Sequence, residues 1–428
     1  MKKILLATTT LIGAAGLFSA AAFADTPKVT IGGYANFEAG YINDDLDTGT
    51  ATPAITHGAS QRGQAFRSDT QVDFKIDGKN DSGLGYGGEV DLLADTSNDV
   101  QGRGFNASKT VVFLDGNNWG RFEMGSNVGA DGTMKVDAGT IARATGGIDG
   151  DWSYFANSAT QYLAMSALPL GYGLTGTNSN NTAGAGNLLG QHTEENLDKI
   201  TYYTPRFMGV QLGVSYLPDQ SNRGQGTSLL GVPNPYGPNR TDRNAGLAEN
   251  IFTGGANYDN KFGDVGLTLA ATGEWGRAQN ASYEDLAAWN GGAKVSFMGF
   301  SLAGSYGSWG ASDTLRTARS KDTFYWNVGG AYEYGPFGVS LTYLKSQFDC
   351  GVTHAAAGDV GASSDCAAVA GNIVAGKDGL QNTSLGFDYK LAPGLTPYAE
   401  VSYYNQDADL KAYDNKGVVG IVGTQLNF

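Results

Sequence analysis

Apolar and polar residues alternate along much of this chain with a period of two. Near the amino terminus, Phe37, Ala39 and Tyr41 fall on one face of an extended segment, and Asn36 and Glu38 fall on the other. Such alternation is typical of a β-strand that has one apolar face and one hydrated face.

The last ten residues carry the same pattern to the end of the chain. Val422, Thr424 and Leu426 share a face with the terminal Phe428, and they alternate with small or polar residues. Soluble domains usually end in frayed polar residues. This ending instead predicts the last strand of a barrel that stands in a lipid bilayer and closes on its own first strand.

Sixteen strands are predicted by the same alternation. They are 29–43, 64–77, 85–97, 108–115, 119–126, 198–205, 209–217, 250–259, 263–276, 287–297, 299–309, 322–334, 336–347, 381–391, 394–405 and 416–428. Short turns and long polar loops alternate between them, which places the turns on one rim and the loops on the other. The predicted fold class is an all-β, transmembrane antiparallel β-barrel of sixteen strands, with short periplasmic turns and long external loops.

The first 24 residues have the three parts of a secretory signal peptide. Met1-Lys-Lys is followed by an apolar run from Ile4 to Phe18 and by the small-residue cleavage site Ala22-Phe-Ala24. The run is short of the ~20 residues that a helical span needs, which disfavours a transmembrane helix. We expect export, cleavage before Asp25, and one barrel domain over residues 25–428.

Composition narrows the possible partners. The formal net charge of −14 disfavours nucleic acid, whose phosphates would be repelled. The 64 glycines, 22 tyrosines and 19 phenylalanines suit twisted strands and aromatic girdles at the two membrane surfaces. One girdle is expected at the short-turn rim, with Phe207, Phe297, Phe300, Phe337 and Phe428.

No motif in the sequence indicates catalysis or a dedicated cofactor. Gly83-Leu-Gly-Tyr-Gly-Gly88 fits the dinucleotide-binding spacing, but it lies between two predicted strands and favours a turn. The stretch from Asp45 to Gly49 only partly resembles a calcium loop, so adventitious Ca²⁺ on acidic loops stays open. The three histidines fall in predicted loops without a paired nucleophile, which disfavours an enzyme.

Cys350 and Cys366 lie in one small-residue stretch between predicted strands. An oxidising periplasm favours a disulfide between them. A reactive or metal-binding thiol pair is the alternative, but no further Cys or His flanks them at zinc spacing.

The sequence resembles the general bacterial porins, the trimeric sixteen-stranded members of the Gram-negative porin family. The resemblance is carried by Lys28–Tyr34, by Tyr203–Val210 and by the terminal Phe428. It implies a homotrimer in the outer-membrane lipid that passes small hydrophilic solutes and ions passively. It also implies that the barrel-assembly machinery reads Phe428. A sugar-selective channel of similar shape is the alternative function.

The resemblance further implies a long third loop that folds into the lumen, with acidic residues facing a basic wall. The segment of about 126–197 has that position, and it remains open whether its Gly- and Asn-rich stretch 171–190 lies outside the pore. The predicted constriction consists of Asp131, Asp137, Arg143, Asp149 and Asp151 on the loop, and of Arg67, Lys75, Lys109 and Arg121 on the wall. Because acidic residues are in excess, we expect a mild cation preference.

Overall fold

The computed structural model describes residues 26–45, 63–94, 106–156, 167–172, 197–220, 248–312, 314, 316, 323–349, 368–369, 372–373, 377–407 and 415–428. Sixteen antiparallel strands form a closed barrel in which each strand pairs with its neighbours in sequence. The strands are β1 Lys28–Asp44, β2 Gln64–Lys79, β3 Gly85–Leu93, β4 Asn106–Gly116, β5 Gly120–Ser126, β6 Asp198–Tyr203, β7 Val210–Asp219, β8 Ala248–Phe262, β9 Val265–Ala278, β10 Leu286–Phe297, β11 Phe300–Gly310, β12 Thr323–Tyr334, β13 Phe337–Asp349, β14 Lys377–Tyr389, β15 Leu395–Asp407 and β16 Asn415–Asn427.

The first and last strands close the barrel. Tyr34 lies opposite Asn427 in the ladder between β1 and β16. Beyond it, Gly33 and Phe428 exchange two backbone hydrogen bonds of 3.1 Å. The predicted sixteen-stranded fold and its closure are therefore confirmed.

Each of the sixteen predicted strands overlaps an observed one, and the differences lie at strand ends. The strand predicted from residue 263 begins at Val265 instead, because Gly263 has a φ of 62° and forms the turn after β8. The strand predicted to reach residue 205 ends at Tyr203, just before Thr204 and Pro205, since proline has no amide hydrogen for the ladder.

The two faces of the strands differ as the alternation predicts. The outward face of β1 and β2 exposes Ile31, Phe37 and Phe66, and the rings of Phe37 and Phe66 lie 5.6 Å apart. At the short-turn rim, exposed aromatic rings form the expected band; they are Phe207, Phe297, Phe300, Phe337 and Phe428. The outer surface is therefore apolar, as a bilayer requires.

Short helical turns lie in the connection after β5. They are α1 Ala130–Met134, two 3₁₀ turns at Ala138–Ile141 and Gly147–Asp149, α2 Trp152–Phe155 and α3 Pro169–Tyr172. Among the described residues, none of the helices has both the length and the apolar character to cross a membrane. A two-residue ladder pairs Ala368–Val369 with Asn372–Ile373, separately from the barrel.

Some sequence predictions fall outside the described residues. They concern the signal peptide, the disulfide between Cys350 and Cys366, the acidic loop beyond Asp45 with its adventitious Ca²⁺, and most of the stretch 171–190.

Candidate functional site

Residues 126–156, here called the inner segment, lie inside the barrel and follow its wall. The segment begins against β7, where the backbone amide of Ala130 donates to Ser215 Oγ at 2.8 Å. Further along, Asn257 of β8 donates to the carbonyl of Met134, and the amide of Ala138 donates to Asn327 of β12. Small polar side chains of successive strands thus satisfy the backbone of the inner segment.

The second half of the inner segment continues round the wall to β15. The amide of Arg143 donates to Ser340 Oγ of β13 at 2.8 Å. The amides of Thr145 and Gly147 both donate to the buried Glu400 of β15, each at 3.3 Å. The Glu400 carboxylate therefore accepts hydrogen bonds from two backbone amides of the same turn.

The inner segment ends in an apolar contact with the closing seam of the barrel. Trp152 and Phe155 of α2 pack in a buried cluster with Ile42 of β1 and with Val419 and Ile421 of β16. The rings of Trp152 and Tyr404 are stacked with centroids 5.7 Å apart. From β7 round to β1, the wall is therefore covered by the inner segment.

Glycines on the wall allow this close approach. A Cβ atom on Gly292 of β10 would lie 1.7 Å from the carbonyl oxygen of Val136, and one on Gly40 of β1 would lie 2.2 Å from the ring of Phe155. Both positions face inward, and neither could carry even a methyl group while the segment holds its place.

The acidic residues predicted for the loop do lie on the inner segment, but they differ in exposure. Asp131 and Asp137 are buried, whereas Asp149 is exposed. Asp137 forms a 2.7 Å ion pair with Lys135 of the same segment. Burial lowers the pKa of the Lys135 ammonium, but Asp137 and Asp149 more than offset this and raise it overall, so Lys135 stays charged.

Asp151 is the predicted acid that meets a predicted wall cation. Its carboxylate lies 3.3 Å from the guanidinium of Arg67, which also contacts Glu38 at 3.5 Å and Asp69 at 2.9 Å. The same guanidinium lies 4.0 Å above the ring of the exposed Tyr154. Burial, followed by the adjoining Glu38 carboxyl, raises the pKa of Asp151 to about 8 against the opposing effect of Arg67.

Arg143 was predicted among the loop acids, and its partners instead lie on the wall. Its guanidinium contacts Glu333 of β12 and Asp388 of β14, both at 3.3 Å. Because these partners are distant in sequence, Arg143 ties the middle of the inner segment to the short-turn half of the barrel.

The predicted wall cations Lys75, Lys109 and Arg121 form ion pairs with carboxylates of the wall itself, and their facing toward the loop acids across the lumen stays a prediction. Lys75 of β2 and Lys109 of β4 both contact Glu89 of β3, at 3.2 and 2.8 Å. Arg121 of β5 contacts Glu123 and Asp115, at 2.6 and 3.6 Å. Cross-strand neighbours on one face of a sheet lie within reach of long side chains, so wall carboxylates pair with these cations first.

Sequence reasoning did not include Glu38, Glu89 or Glu400 in the candidate site. The alternation had placed Glu38 and Glu89 on the inward face, and that signal could have added them to the wall charges. The alternation also places Glu400 on the inward face, with Tyr404, but nothing local to it indicates that it accepts hydrogen bonds from two backbone amides some 250 residues earlier in the chain.

The site is a hydrated, charged wall enclosed by an apolar barrel. Its chemistry suits transient contact with ions and polar molecules, since carboxylates, ammonium groups and guanidinium groups face the interior while the outer face is greasy. Among the described residues, no group of three or more His, Cys, Asp or Glu side chains is arranged to hold a metal ion.

Relatives by sequence cover the whole chain. An uncharacterized protein of Rickettsia bellii is 25% identical over 493 aligned residues, which include 100% of both chains. An uncharacterized protein of Rickettsia typhi is likewise 25% identical with 100% of both chains covered.

Solved structures share the fold at low identity. The anion-selective porin from Comamonas acidovorans is 15% identical with a TM-score of 0.53, covering 94% of this chain and 100% of its own. A triple mutant of Rhodopseudomonas blastica porin is 14% identical, with the same TM-score and coverage. The sequence profile of the Gram-negative porins matches residues 7–409. The closed sixteen-stranded barrel, its charged interior and this match over nearly the whole length show that the chain belongs to the Gram-negative porin family.

Proposed function

We propose that the protein lets small hydrophilic solutes and ions diffuse passively across the outer membrane of a Gram-negative bacterium. The family and the fold are those of outer-membrane channels. The observation that carries the finer proposal is the line of charged side chains on the inward face of β2 to β5, opposite the inner segment. Barrels of this strand number keep an aqueous interior, and charged rings in such an interior act on passing ions.

A mild cation preference is part of the proposal. On β1 to β5 and the inner segment, inward carboxylates outnumber cationic groups. The carboxylates are Glu38, Asp44, Asp69, Asp73, Asp77, Glu89, Asp91, Asp115, Glu123, Asp131, Asp137, Asp149 and Asp151, and the cations are Lys28, Arg67, Lys75, Lys79, Lys109, Arg121, Lys135 and Arg143. Likeness of fold leaves the sign open, since a structural neighbour is anion-selective.

The test is single-channel conductance in a planar bilayer, with the reversal potential measured under a salt gradient. We expect stepwise conductance and a reversal potential of the cation-selective sign, which fades at high salt as the charges are screened. Asp149→Asn should shift the reversal potential toward anions because Asp149 is exposed. Asp137→Asn should shift it less, because Asp137 is buried against Lys135. Purified protein that conducts no ions would refute the channel.

A sugar-selective channel of similar shape is less well supported. Such a channel needs aromatic rings exposed along its path, and two of the inward tyrosines, Tyr203 and Tyr404, are covered. Tyr154 is exposed beside Arg67, but one ring is not a track. Equal permeation by sugars and by other neutral solutes of the same size would favour general diffusion.

The homotrimer and delivery by the barrel-assembly machinery are proposals from the family resemblance. Three barrels in one particle should appear as a threefold mass in mild detergent, and as three conductance steps that close in sequence. A monomer that conducts in a single step would contradict the trimer while leaving the channel intact.

A further inference from the structure

Among the described residues, which leave out 157–166 and 173–196, the inner wall of the barrel has a part covered by the inner segment and a bare part. On β13 to β15, the inward side chains of Thr342, Ser384 and Ser402 are fully buried under the inner segment. On β2 to β5 the exposure of the inward charges varies: the Lys75 side chain is 55% exposed and that of Lys109 is 23% exposed, whereas Asp91 and Glu123 are buried. Within the described residues, the wall at Lys75 and Lys109 is therefore open to a water path.

Glu89 lies at the middle of this bare wall. It sits opposite Lys75 in the ladder of β2 and β3, and its two carboxylate oxygens contact different lysines. Oε1 lies 3.2 Å from Lys75 Nζ, and Oε2 lies 2.8 Å from Lys109 Nζ. The next carboxylate, that of Asp91, lies 4.0 Å from Lys109 Nζ, so its ion pair with this lysine is weaker. The Glu89 carboxylate is thus shared by two ammonium groups, one on each neighbouring strand.

We propose that Glu89 biases ion selectivity toward cations by masking Lys75 and Lys109 on the permeation path. This inference rests on the proposed function, since it needs a conducting channel. With Glu89 ionised, the wall at this level carries three carboxylates, those of Asp73, Glu89 and Asp91, against the ammonium groups of Lys75 and Lys109. Without Glu89, both ammonium groups lose their nearest carboxylate, so they attract anions and repel cations more strongly.

The size of the effect follows from the geometry. A unit charge about 4 Å from a passing ion contributes about 1 kcal/mol in water, and every 1.4 kcal/mol is a factor of about ten. Glu89→Gln should therefore disfavour cations up to about five-fold and favour anions by the same factor, so that the cation-to-anion permeability ratio falls by up to about 25-fold. Lys75→Gln should raise the ratio, because it removes an exposed positive charge. Glu89→Gln combined with Lys75→Gln should return the ratio close to that of the unmodified protein.

The matched control is Glu284→Gln. Glu284 also pairs with a cation, Arg316 at 3.5 Å, but it lies in the connection between β9 and β10 at the long-loop rim. The change in charge and volume is the same, and the position is away from the bare wall. Reversal potential under a salt gradient is measured for all four variants, and sheet content and mobility in detergent confirm that each barrel has folded.

The outcomes separate this inference from the proposed function. If the unmodified protein conducts and Glu89→Gln leaves the reversal potential unchanged, the inference about Glu89 is overturned while the proposed channel function is retained. An equal shift in Glu284→Gln would show that net charge alone matters, which also overturns the inference. If Glu89→Gln fails to fold, Lys75→Gln alone decides, and an unchanged ratio there overturns the masking. A protein that conducts nothing refutes the proposed function and this inference together.

Discussion

Replacing Gly292 by alanine tests whether the inner segment is seated on the wall of β10. The added Cβ would lie 1.7 Å from the carbonyl oxygen of Val136, and that oxygen would have to move back by about as much again to reach the 3.4 Å of ordinary contact. Both groups belong to backbone, so no side-chain rotation relieves the clash. Gly291→Ala is the matched control, because a Cβ there points outward and meets nothing within 4 Å.

Of the two variants, only Gly292→Ala should lose stability. Alanine in place of glycine gains about 0.5–1 kcal/mol from reduced freedom of the unfolded chain at either position. At Gly292 the overpacking penalty of about 1–3 kcal/mol outweighs this gain. Gly292→Ala should therefore unfold at a lower temperature than the unmodified protein, and Gly291→Ala at the same or a slightly higher one.

The assay is thermal loss of the sheet signal in detergent, paired with single-channel recording. A displaced inner segment should also alter conductance in Gly292→Ala, with more current noise, while Gly291→Ala conducts normally. Identical unfolding temperatures and identical conductance in the two variants would show that the segment does not rest on β10.

Two further predictions concern the chain end and the contact between the inner segment and the wall. Deleting Phe428 should lower the amount of protein in the membrane, measured by immunoblot, because the backbone hydrogen bonds to Gly33 and the proposed assembly signal are lost. The channels that do assemble should conduct normally, and an unchanged amount in the membrane would contradict the prediction. Asp151 has a raised pKa, so its stabilising contribution is present at low pH and is lost as the pH rises from about 4 to about 8. The unfolding temperature should fall between about pH 4 and about pH 8 in the unmodified protein, and Asp151→Asn should flatten that fall. Equal slopes in the two proteins would show that Asp151 does not titrate in this range.

The barrel could be predicted from the sequence because the alternation within each strand is visible in its own residues. A two-residue period fixes which side chains face out, and short turns such as Met298-Gly299 fix which strands are neighbours. The seam followed from the terminal alternation, and Tyr34 pairs with Asn427 as closure requires.

The site was predictable only in part, since its contacts depend on residues far apart in the chain. The inner segment was expected from the resemblance, but its partners were not. Arg143 meets Glu333 and Asp388, and no local pattern indicates which distant carboxylates a loop arginine will reach. Gly291 and Gly292 are identical letters in the sequence, yet one faces outward and the other supports the inner segment.

The path of the inner segment has a consequence for the order of folding. The segment leaves β5, contacts the strands from β6 onward and ends against β16 and β1. Most of the wall that it contacts is therefore synthesised after it, and the contact with β16 exists only once the last strand has joined the barrel. Until then Trp152 and Phe155 lack Val419 and Ile421 as apolar partners. We expect the inner segment to reach its final position as the first and last strands pair, so that barrel closure and packing of the segment occur in one cooperative step.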